Sequence, residues 1–260
     1  CWKGSGPKSR RSAHHFRRYA VPIRATRTDT RTIIMDEQTA LIRLFSWLSP
    51  AFPIGGFAYS QGLETAVADG RVGDGGQLSD WIGGQLHRGS LRTDAYFLAI
   101  AARAVTTCDW TSLAEANQLC LALQISAERD KETREQAQSF LDAASAWPTS
   151  TPKELSAVFE RPMALPIAFG ATAGLHRVSP GAAIAGFANS AVAQQISVGV
   201  RLIPLGQTAG LAVQAGLEAK IAQLSTEALS AQLTDISGLS YGTDIASQKH
   251  EDLRVRIFRS

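Results

Sequence analysis

The stretch at residues 49–64, SPAFPIGGFAYSQGLE, constrains the fold of this chain more than any other part. It combines two prolines with a glycine pair, and it lies between two segments whose apolar residues recur at helical spacing. Pro50 and Pro53 fix φ and move the preceding residues out of the helical region, whereas Gly55 and Gly56 permit close approaches that a Cβ would forbid. The sequence therefore predicts a helix, a specified turn and a second helix.

Three large apolar residues of this turn, Phe52, Ile54 and Phe57, are expected to anchor it in the core. No nucleophile is paired with a base in the stretch, and the glycine pair lacks the lysine and hydroxyl residue of a phosphate-binding loop. Spacing by itself therefore favours a buried corner between two helices.

Helical periodicity continues through residues 77–88, 91–105 and 113–125, while strand alternation is scarce. From Met163 onward the chain is rich in alanine and glycine, which allows helix axes to approach closely. We predict an all-α protein in which residues 35–260 form a single-domain multi-helix bundle.

Three segments are expected to lie outside the packed helices. Charges alternate in sign over residues 128–138, which is typical of a solvated helix face. Residues 146–162 contain three prolines and resemble a linker, and residues 234–247 are loop-like. The end of the chain is expected to form a flexible C-terminal tail.

The first 34 residues differ from the rest in charge, because they hold nine basic residues and one acidic residue. Such a segment could be a nucleic-acid-binding arm or a transit peptide. The chain begins with Cys1, and Met35 directly precedes the first periodic helix, so we interpret residues 1–34 as a disordered basic extension outside the native fold. On that interpretation no nucleic-acid partner is expected.

Other function classes find little support. Three cysteines do not form a disulfide framework and fit a reducing cytoplasm, and the uncharged run at 178–200 contains polar residues that favour a buried helix over a membrane span. His87, His176 and His250 are widely separated, so no metal site and no cofactor are predicted. The familiar enzyme motifs are missing from the sequence, which disfavours an enzyme.

Three stretches resemble segments of the urease accessory protein UreF family. SPAFPIGGFAYSQGLE at 49–64 is similar to the N-terminal signature of that family, and RLIPLGQTAG at 201–210 is similar to its second hallmark. The ending HEDLRVRIFRS at 250–260 is a weaker match. The resemblance covers essentially residues 38–260 and keeps the order of the signatures.

The resemblance implies an all-helical protein, usually a homodimer, that acts as an assembly factor. Such proteins form a complex with UreD, also called UreH, and with the GTPase UreG on the urease apoprotein. The complex couples GTP hydrolysis to nickel insertion into urease. The expected partners are therefore these proteins, without a membrane.

The resemblance also suggests residues for partner contacts. Arg92 and Asp94 form a cap and ion pair on chemical grounds alone, but the resemblance adds a partner-facing role. Arg201 and Gln207 are expected to support the centre of the bundle, and Arg254, Phe258 and Arg259 are expected to dock on UreD/UreH. The residues expected to shape or line a partner-facing or inter-helix surface in the opening turn are Pro53, Gly55, Gly56, Tyr59 and Glu64.

Two alternatives of a different class stay open at this point. One is a helical enzyme whose site joins Glu64, Arg92, Asp94 and Arg201, which a shared pocket with shifted carboxylate pKa values would support. The other is a nucleic-acid binder that uses residues 1–34.

Overall fold

Helices account for the regular structure in the computed structural model, which describes residues 30–238 and 240–260, with side chains from residue 36 onward. Within these ranges there is no β-strand, and the helices form one compact domain, which confirms the all-α prediction. Two 3-10 turns cover Gly56–Ala58 and Leu233–Asp235. The α-helices are α1 Thr30–Trp47, α2 Leu63–Ala68, α3 Gly75–Arg88, α4 Ser90–Thr106, α5 Trp110–Ala122, α6 Ala127–Ala144, α7 Lys153–Phe159, α8 Leu165–Leu175, α9 Pro180–Leu202, α10 Gln207–Ala228 and α11 Tyr241–His250.

The centre of the bundle is the contact between α4 and α8. Two glycines one turn apart on α8, Gly170 and Gly174, face the backbone of α4. A Cβ at Gly174 would lie 2.7 Å from the carbonyl oxygen of Ala102, and one at Gly170 would overlap the carbonyl oxygen of Leu98. The alanine- and glycine-rich sequence therefore allows the two axes to approach closely, as predicted.

An aromatic cluster holds the end of α1 against α6 and α8. The Trp47 ring is 2% exposed and makes edge contacts with Phe140, Phe169 and Trp147 at centroid distances of 6.1, 6.2 and 6.3 Å. Phe52 from the opening turn joins the cluster at 5.7 Å from Phe140. Burial of these large rings fixes where the opening turn begins.

The opening turn has the predicted helix–turn–helix form, with one correction. Gly55 and Gly62 adopt φ of +73° and +80°, and a Cβ at Gly62 would lie 2.7 Å from the Ser247 backbone nitrogen on α11. Phe52 and Ile54 pack against the core as expected. The Phe57 prediction was wrong, because its side chain is 53% exposed.

Other segment predictions are corrected in part. The linker at 146–162 contains α7, which buries Leu155 completely, and the loop-like segment at 234–247 contains most of α11, which packs on α2. Helix α1 begins at Thr30, so residues 30–34 of the expected disordered extension are helical. The rest of that extension, residues 1–29, lies outside the described residues.

The break between α9 and α10 falls where the sequence predicts it. Helix α9 ends at Leu202 and α10 begins at Gln207, with Pro204 between them. The two helices pack against each other, and α3 packs on α10. Among the described residues no helix has the length and apolar character needed to cross a membrane.

Candidate functional site

The last ten residues, 251–260, lie along the opening turn and are called here the C-terminal segment. Two backbone hydrogen bonds join the two stretches: Ser60 N donates to Ser260 O at 2.7 Å, and Arg259 N donates to Ala58 O at 2.7 Å. Phe258 is 4% exposed and Ser260 is fully buried. The expectation of a flexible C-terminal tail is thus corrected, because the segment is anchored to the body of its own chain.

Glu64, in the first turn of α2, holds this segment most directly. Its Oε1 accepts a hydrogen bond from Ile257 N at 2.7 Å, and its Oε2 accepts one from Phe258 N at 3.1 Å. His250 Nε2, at the end of α11, lies 3.0 Å from the same Oε2. A buried carboxylate bonded to two N–H groups and an imidazole is well compensated for its burial.

Glu128 completes the arrangement from α6. Its Oε2 lies 2.7 Å from His250 Nδ1, and its Oε1 accepts a hydrogen bond from Arg256 Nη1 at 2.7 Å. Ser126 caps α6 by accepting from Arg129 N, which places Glu128 in the first turn of that helix. We call the set Glu64, Glu128, His250 and Arg256 the clasp.

A second layer lies beneath the clasp. Glu132 Oε2 accepts a hydrogen bond from Ser260 Oγ and lies 2.5 Å from Arg129 Nη1, while its Oε1 accepts from Gln61 Nε2. Glu132 is 1% exposed and Arg129 is 8% exposed. The prediction that residues 128–138 are solvated was therefore wrong for the face of α6 that carries these two residues.

The outer side of the C-terminal segment is exposed. Arg201 lies 4.4 Å from the ring centroid of Phe258, and Arg259 pairs with Glu135 at 3.0 Å. Beneath Arg259, the Tyr59 hydroxyl donates to Glu135 Oε2 at 2.8 Å. Burial and this carboxylate raise the pKa of Tyr59 to about 12. We call the exposed side chains Arg201, Arg254, Val255, Ile257 and Arg259 the outer face.

Five of the predicted residues meet at this place: Tyr59, Glu64, Arg201, Phe258 and Arg259. Phe258 is buried under Arg201, so it is an intramolecular anchor and not a free side chain for docking. Arg254 is exposed beside them.

The two residues expected at the centre of the bundle, Arg201 and Gln207, are both exposed, so that prediction was wrong. Arg201 lies at a solvent-facing position in the last turn of α9, and its guanidinium donates to Phe57 O at 3.3 Å. Pro53 and Gly55 are exposed in the opening turn, whereas Gly56 is buried and its carbonyl accepts from Gln194 Nε2.

Arg92 and Asp94 do not form the expected ion pair. Arg92 donates to Ser237 O at 2.7 Å and stacks on the Tyr96 ring at 4.2 Å. Asp94 points to the other side of α4, into a cleft of about 250 Å³ that also contacts Gln61 and Arg129. Residues two positions apart on a helix do not face each other, so the two side chains reach different surroundings.

The cleft raises the pKa of Asp94 to about 6. Burial is the main cause, and the nearby Glu132 carboxylate adds to it, whereas Arg129 acts in the opposite direction. Glu64, Arg92 and Arg201 do not line this cleft. The four residues of the enzyme alternative are therefore not gathered into one site.

Potential metal ligands are not grouped among the described side chains. In the described ranges no group of three or more His, Cys, Asp or Glu residues is placed to hold a metal ion.

Sequence reasoning missed the residues that anchor the segment. The sequence shows His250 only as a histidine far from the others, but its side chain is fully buried between Glu64 and Glu128. The alternating charges of α6 concealed Glu128 and Glu132, because exposed and buried carboxylates look alike in a sequence. The local signal for Glu64 is its place two residues after Gly62, since a carboxylate is favoured in the first turn of a helix.

The fold and this site define the class of all-helical proteins in which buried charged side chains fix a C-terminal surface segment. Comparison with known proteins then identifies the family: the UreF family model matches residues 72–218. The chain belongs to the UreF family, whose members are accessory proteins and not enzymes.

Relatives with the name urease accessory protein UreF are similar in sequence to this protein over most of its length. Urease accessory protein UreF of Rhizobium leguminosarum bv. viciae is 46% identical over 227 residues, which cover 86% of this chain and 98% of the relative. The protein of the same name from Bradyrhizobium diazoefficiens is 41% identical, covering 86% and 93%. That from Agrobacterium fabrum is 43% identical, covering 85% and 96%. The resemblance drawn from the three sequence stretches is confirmed.

Proposed function

We propose that this chain is a urease accessory protein that assembles with UreD/UreH and the GTPase UreG on the urease apoprotein. In this role it couples GTP hydrolysis to nickel insertion without itself being a catalyst. Membership of the UreF family and the names of its relatives support the proposal. The proposed setting is the cytoplasm, which fits the free thiols of Cys108 and Cys120.

The observation that carries this proposal is the way the C-terminal segment is displayed. Phe258 and Ser260 are buried, while Val255 and Ile257, which precede them in the segment, are 82% and 67% exposed. Large exposed apolar side chains flanked by arginines are typical of protein-binding surfaces. Because the clasp already fixes the backbone, a partner would lose little conformational entropy when it binds there.

We assign the docking of UreD/UreH to the outer face. Arg254 and Arg259 would contact the partner there, while Phe258 and Glu64 act from beneath by holding the segment in place. Pro53, Gly55 and Gln207, which are exposed, stay in the proposal as further partner-facing positions.

We also propose that the chain forms a homodimer. Leu41, Ile42 and Phe45 share one face of α1 and are 42%, 65% and 63% exposed, and Phe57 continues this apolar strip. A groove of about 590 Å³ lies beside it, between α1, the opening turn and α9. Ile42→Asp is expected to convert a dimer to a monomer in light scattering, whereas an unchanged mass would remove the strip from the interface.

The proposed extent of the working domain is residues 35–260. A protein truncated to that range should restore urease activity as well as the full chain does. Retained nucleic-acid affinity after the truncation would argue against the extension as a nucleic-acid arm, and its loss would support that alternative.

The central experiment uses cells that lack the gene and measures urease activity and urease-bound nickel. The cells receive the natural chain, Ile257→Glu, or Leu229→Glu, which makes the same kind of change at a 47% exposed leucine outside the outer face. We expect Ile257→Glu to be as abundant as the natural chain but to bind UreD at least about tenfold more weakly, since loss of a hot-spot side chain costs about 2 kcal/mol or more and about 1.4 kcal/mol is tenfold in Kd.

Nickel-free urease in the cells without the gene, with rescue by Leu229→Glu and not by Ile257→Glu, would support both the function and the outer face. Full nickel loading without the gene would overturn the proposed function. Rescue by both variants would overturn only the assignment of the outer face.

A further inference from the structure

The cleft beside Asp94 is not used by the clasp, by the outer face or by the apolar strip. It lies between α4, the start of α6 and the stretch that leads into α11, with a volume of about 250 Å³. Its mouth includes Leu123 and Ser237, which are both exposed. Asp94, which is half-buried, and Arg129, which is buried, also line it. The cleft is therefore reachable from solvent and contains charged groups.

The charges at the bottom of the cleft do not balance. Arg129 is paired with Glu132 at 2.5 Å, and Glu132 also accepts hydrogen bonds from Gln61 and Ser260. Asp94 has neither a hydrogen bond nor an ion pair with its carboxylate anywhere in residues 36–238 and 240–260. Two carboxylates thus share one guanidinium, which leaves one negative charge without a partner.

Asp94 is half-buried, so its carboxylate loses part of its hydration without gaining a hydrogen bond, and a bound cation would offset that cost. Two neutral oxygens of the cleft can accept hydrogen bonds. Gln61 Oε1 accepts one from Gln195 and can accept a second, and the Ser90 hydroxyl, which donates to Gln85 Oε1, keeps its lone pairs. Phe97 and Ile236 provide an apolar wall. This combination suits a cation that carries several N–H donors on a short hydrocarbon stem.

We propose that the cleft is a binding site for a protonated nitrogen group, a primary ammonium or guanidinium, that forms an ion pair with Asp94. The group could belong to a small free amine or to a lysine or arginine side chain of another protein, since both present the same donors. A metal ion fits less well, because no third carboxylate, histidine or thiol is grouped with Asp94 and its neighbours in the described part of the chain.

Thermal unfolding of the full chain tests this proposal. The probes are n-propylammonium chloride and the blocked peptide acetyl-Gly-Lys-Gly-amide, each compared with potassium chloride at equal ionic strength. A ligand that binds only the folded protein raises Tm as its concentration passes Kd. We expect at least one nitrogen probe to raise Tm beyond the effect of potassium chloride.

Three variants locate the binding. Asp94→Asn keeps the shape of the side chain and removes its charge, so the Tm increase should vanish and Kd should rise at least about tenfold. Ser237→Trp fills the mouth without changing charge and should have the same effect. Asp142→Asn removes an exposed charge from α6, about 20 Å along the helix from Arg129, and should leave binding unchanged.

Loss of the Tm increase in Asp94→Asn and Ser237→Trp but not in Asp142→Asn would establish the site. A stronger effect of the peptide would point to a partner side chain, and a stronger effect of propylammonium to a small amine. Equal increases in all variants, an equal increase with potassium chloride, or no increase in the natural chain would each overturn the proposal. Because none of these readouts depends on urease, the proposal can fail while the accessory function stands.

Discussion

The clasp and the cleft are two charged regions to which α6 contributes neighbouring residues, Glu128 and Arg129, and they differ in how their carboxylates are satisfied. In the clasp, Glu64 and Glu128 each have at least two partners, and together they enclose His250. In the cleft, Asp94 has none in the described parts of the chain. Satisfied charges hold a segment in a unique position, whereas an unsatisfied charge is available to a ligand or to a proton.

The largest loss of folding stability is expected from a substitution that breaks the clasp. Glu64→Ala removes the acceptor for Ile257 N and Phe258 N and leaves His250 facing only Glu128, so we expect a loss of on the order of 3 kcal/mol in the free energy of unfolding. Urea denaturation measures this loss, and hydrogen exchange at the amides of Ile257 and Phe258 should become fast.

A matched control for this prediction lies on α6. Asp130 pairs with Arg134 at 2.8 Å on a half-exposed surface, so Asp130→Ala should cost less than about 1 kcal/mol. Equal losses for Glu64→Ala and Asp130→Ala would mean that the clasp contributes no more than a surface ion pair.

In the cleft, a substitution of Asp94 is expected to increase the free energy of unfolding, by less than the clasp substitution lowers it. Because the folded chain raises the pKa of Asp94 to about 6, the folded state binds a proton more tightly than the unfolded state does. Stability contributed by that proton is therefore lost as the pH rises from about 4 to about 6. Asp94→Asn should consequently stabilise the protein at pH 8 by on the order of 2 kcal/mol and have no effect below pH 4.

The comparison of urea denaturation at pH 4 and pH 8 checks this prediction. Glu132→Gln offers a second test, because removal of the Glu132 charge should lower the pKa of Asp94 in carbon NMR titrations. A stabilising effect of Asp94→Asn that is the same at both pH values would show that the carboxylate charge is not its cause.

The smallest losses of stability are expected on the outer face, where charges are screened by solvent, and at Tyr59, which is buried beneath it. Tyr59→Phe removes one hydrogen bond to Glu135, and we expect it to cost about 1 kcal/mol. Arg201→Ala removes the contact with the Phe258 ring and should cost about 0.5 kcal/mol. Denaturation curves measure both losses, and a loss comparable to that of Glu64→Ala would place the outer face among the elements that hold the segment.

Sequence patterns were sufficient for the helices and for the family, but not for the site. The Pro-Gly stretch at 49–64 and the Pro204 break lie where predicted, because these residues act through their own backbone restrictions. Glu64, Tyr59 and Arg259 were selected by resemblance, and the structure brings them together. Their contacts with α6 join residues separated by more than sixty positions, which no local pattern specifies.

The sequence by itself determined that this chain is helical, where its principal turn and break fall, and to which family it belongs. Only the tertiary structure decided that His250, Arg129 and Glu132 are buried and that Asp94 has no hydrogen-bond partner among the described side chains. The physical reason is that backbone restrictions and hydrophobic periodicity act over a few residues. The energy of a charge, in contrast, depends on solvent and on partners that the fold brings from distant parts of the chain.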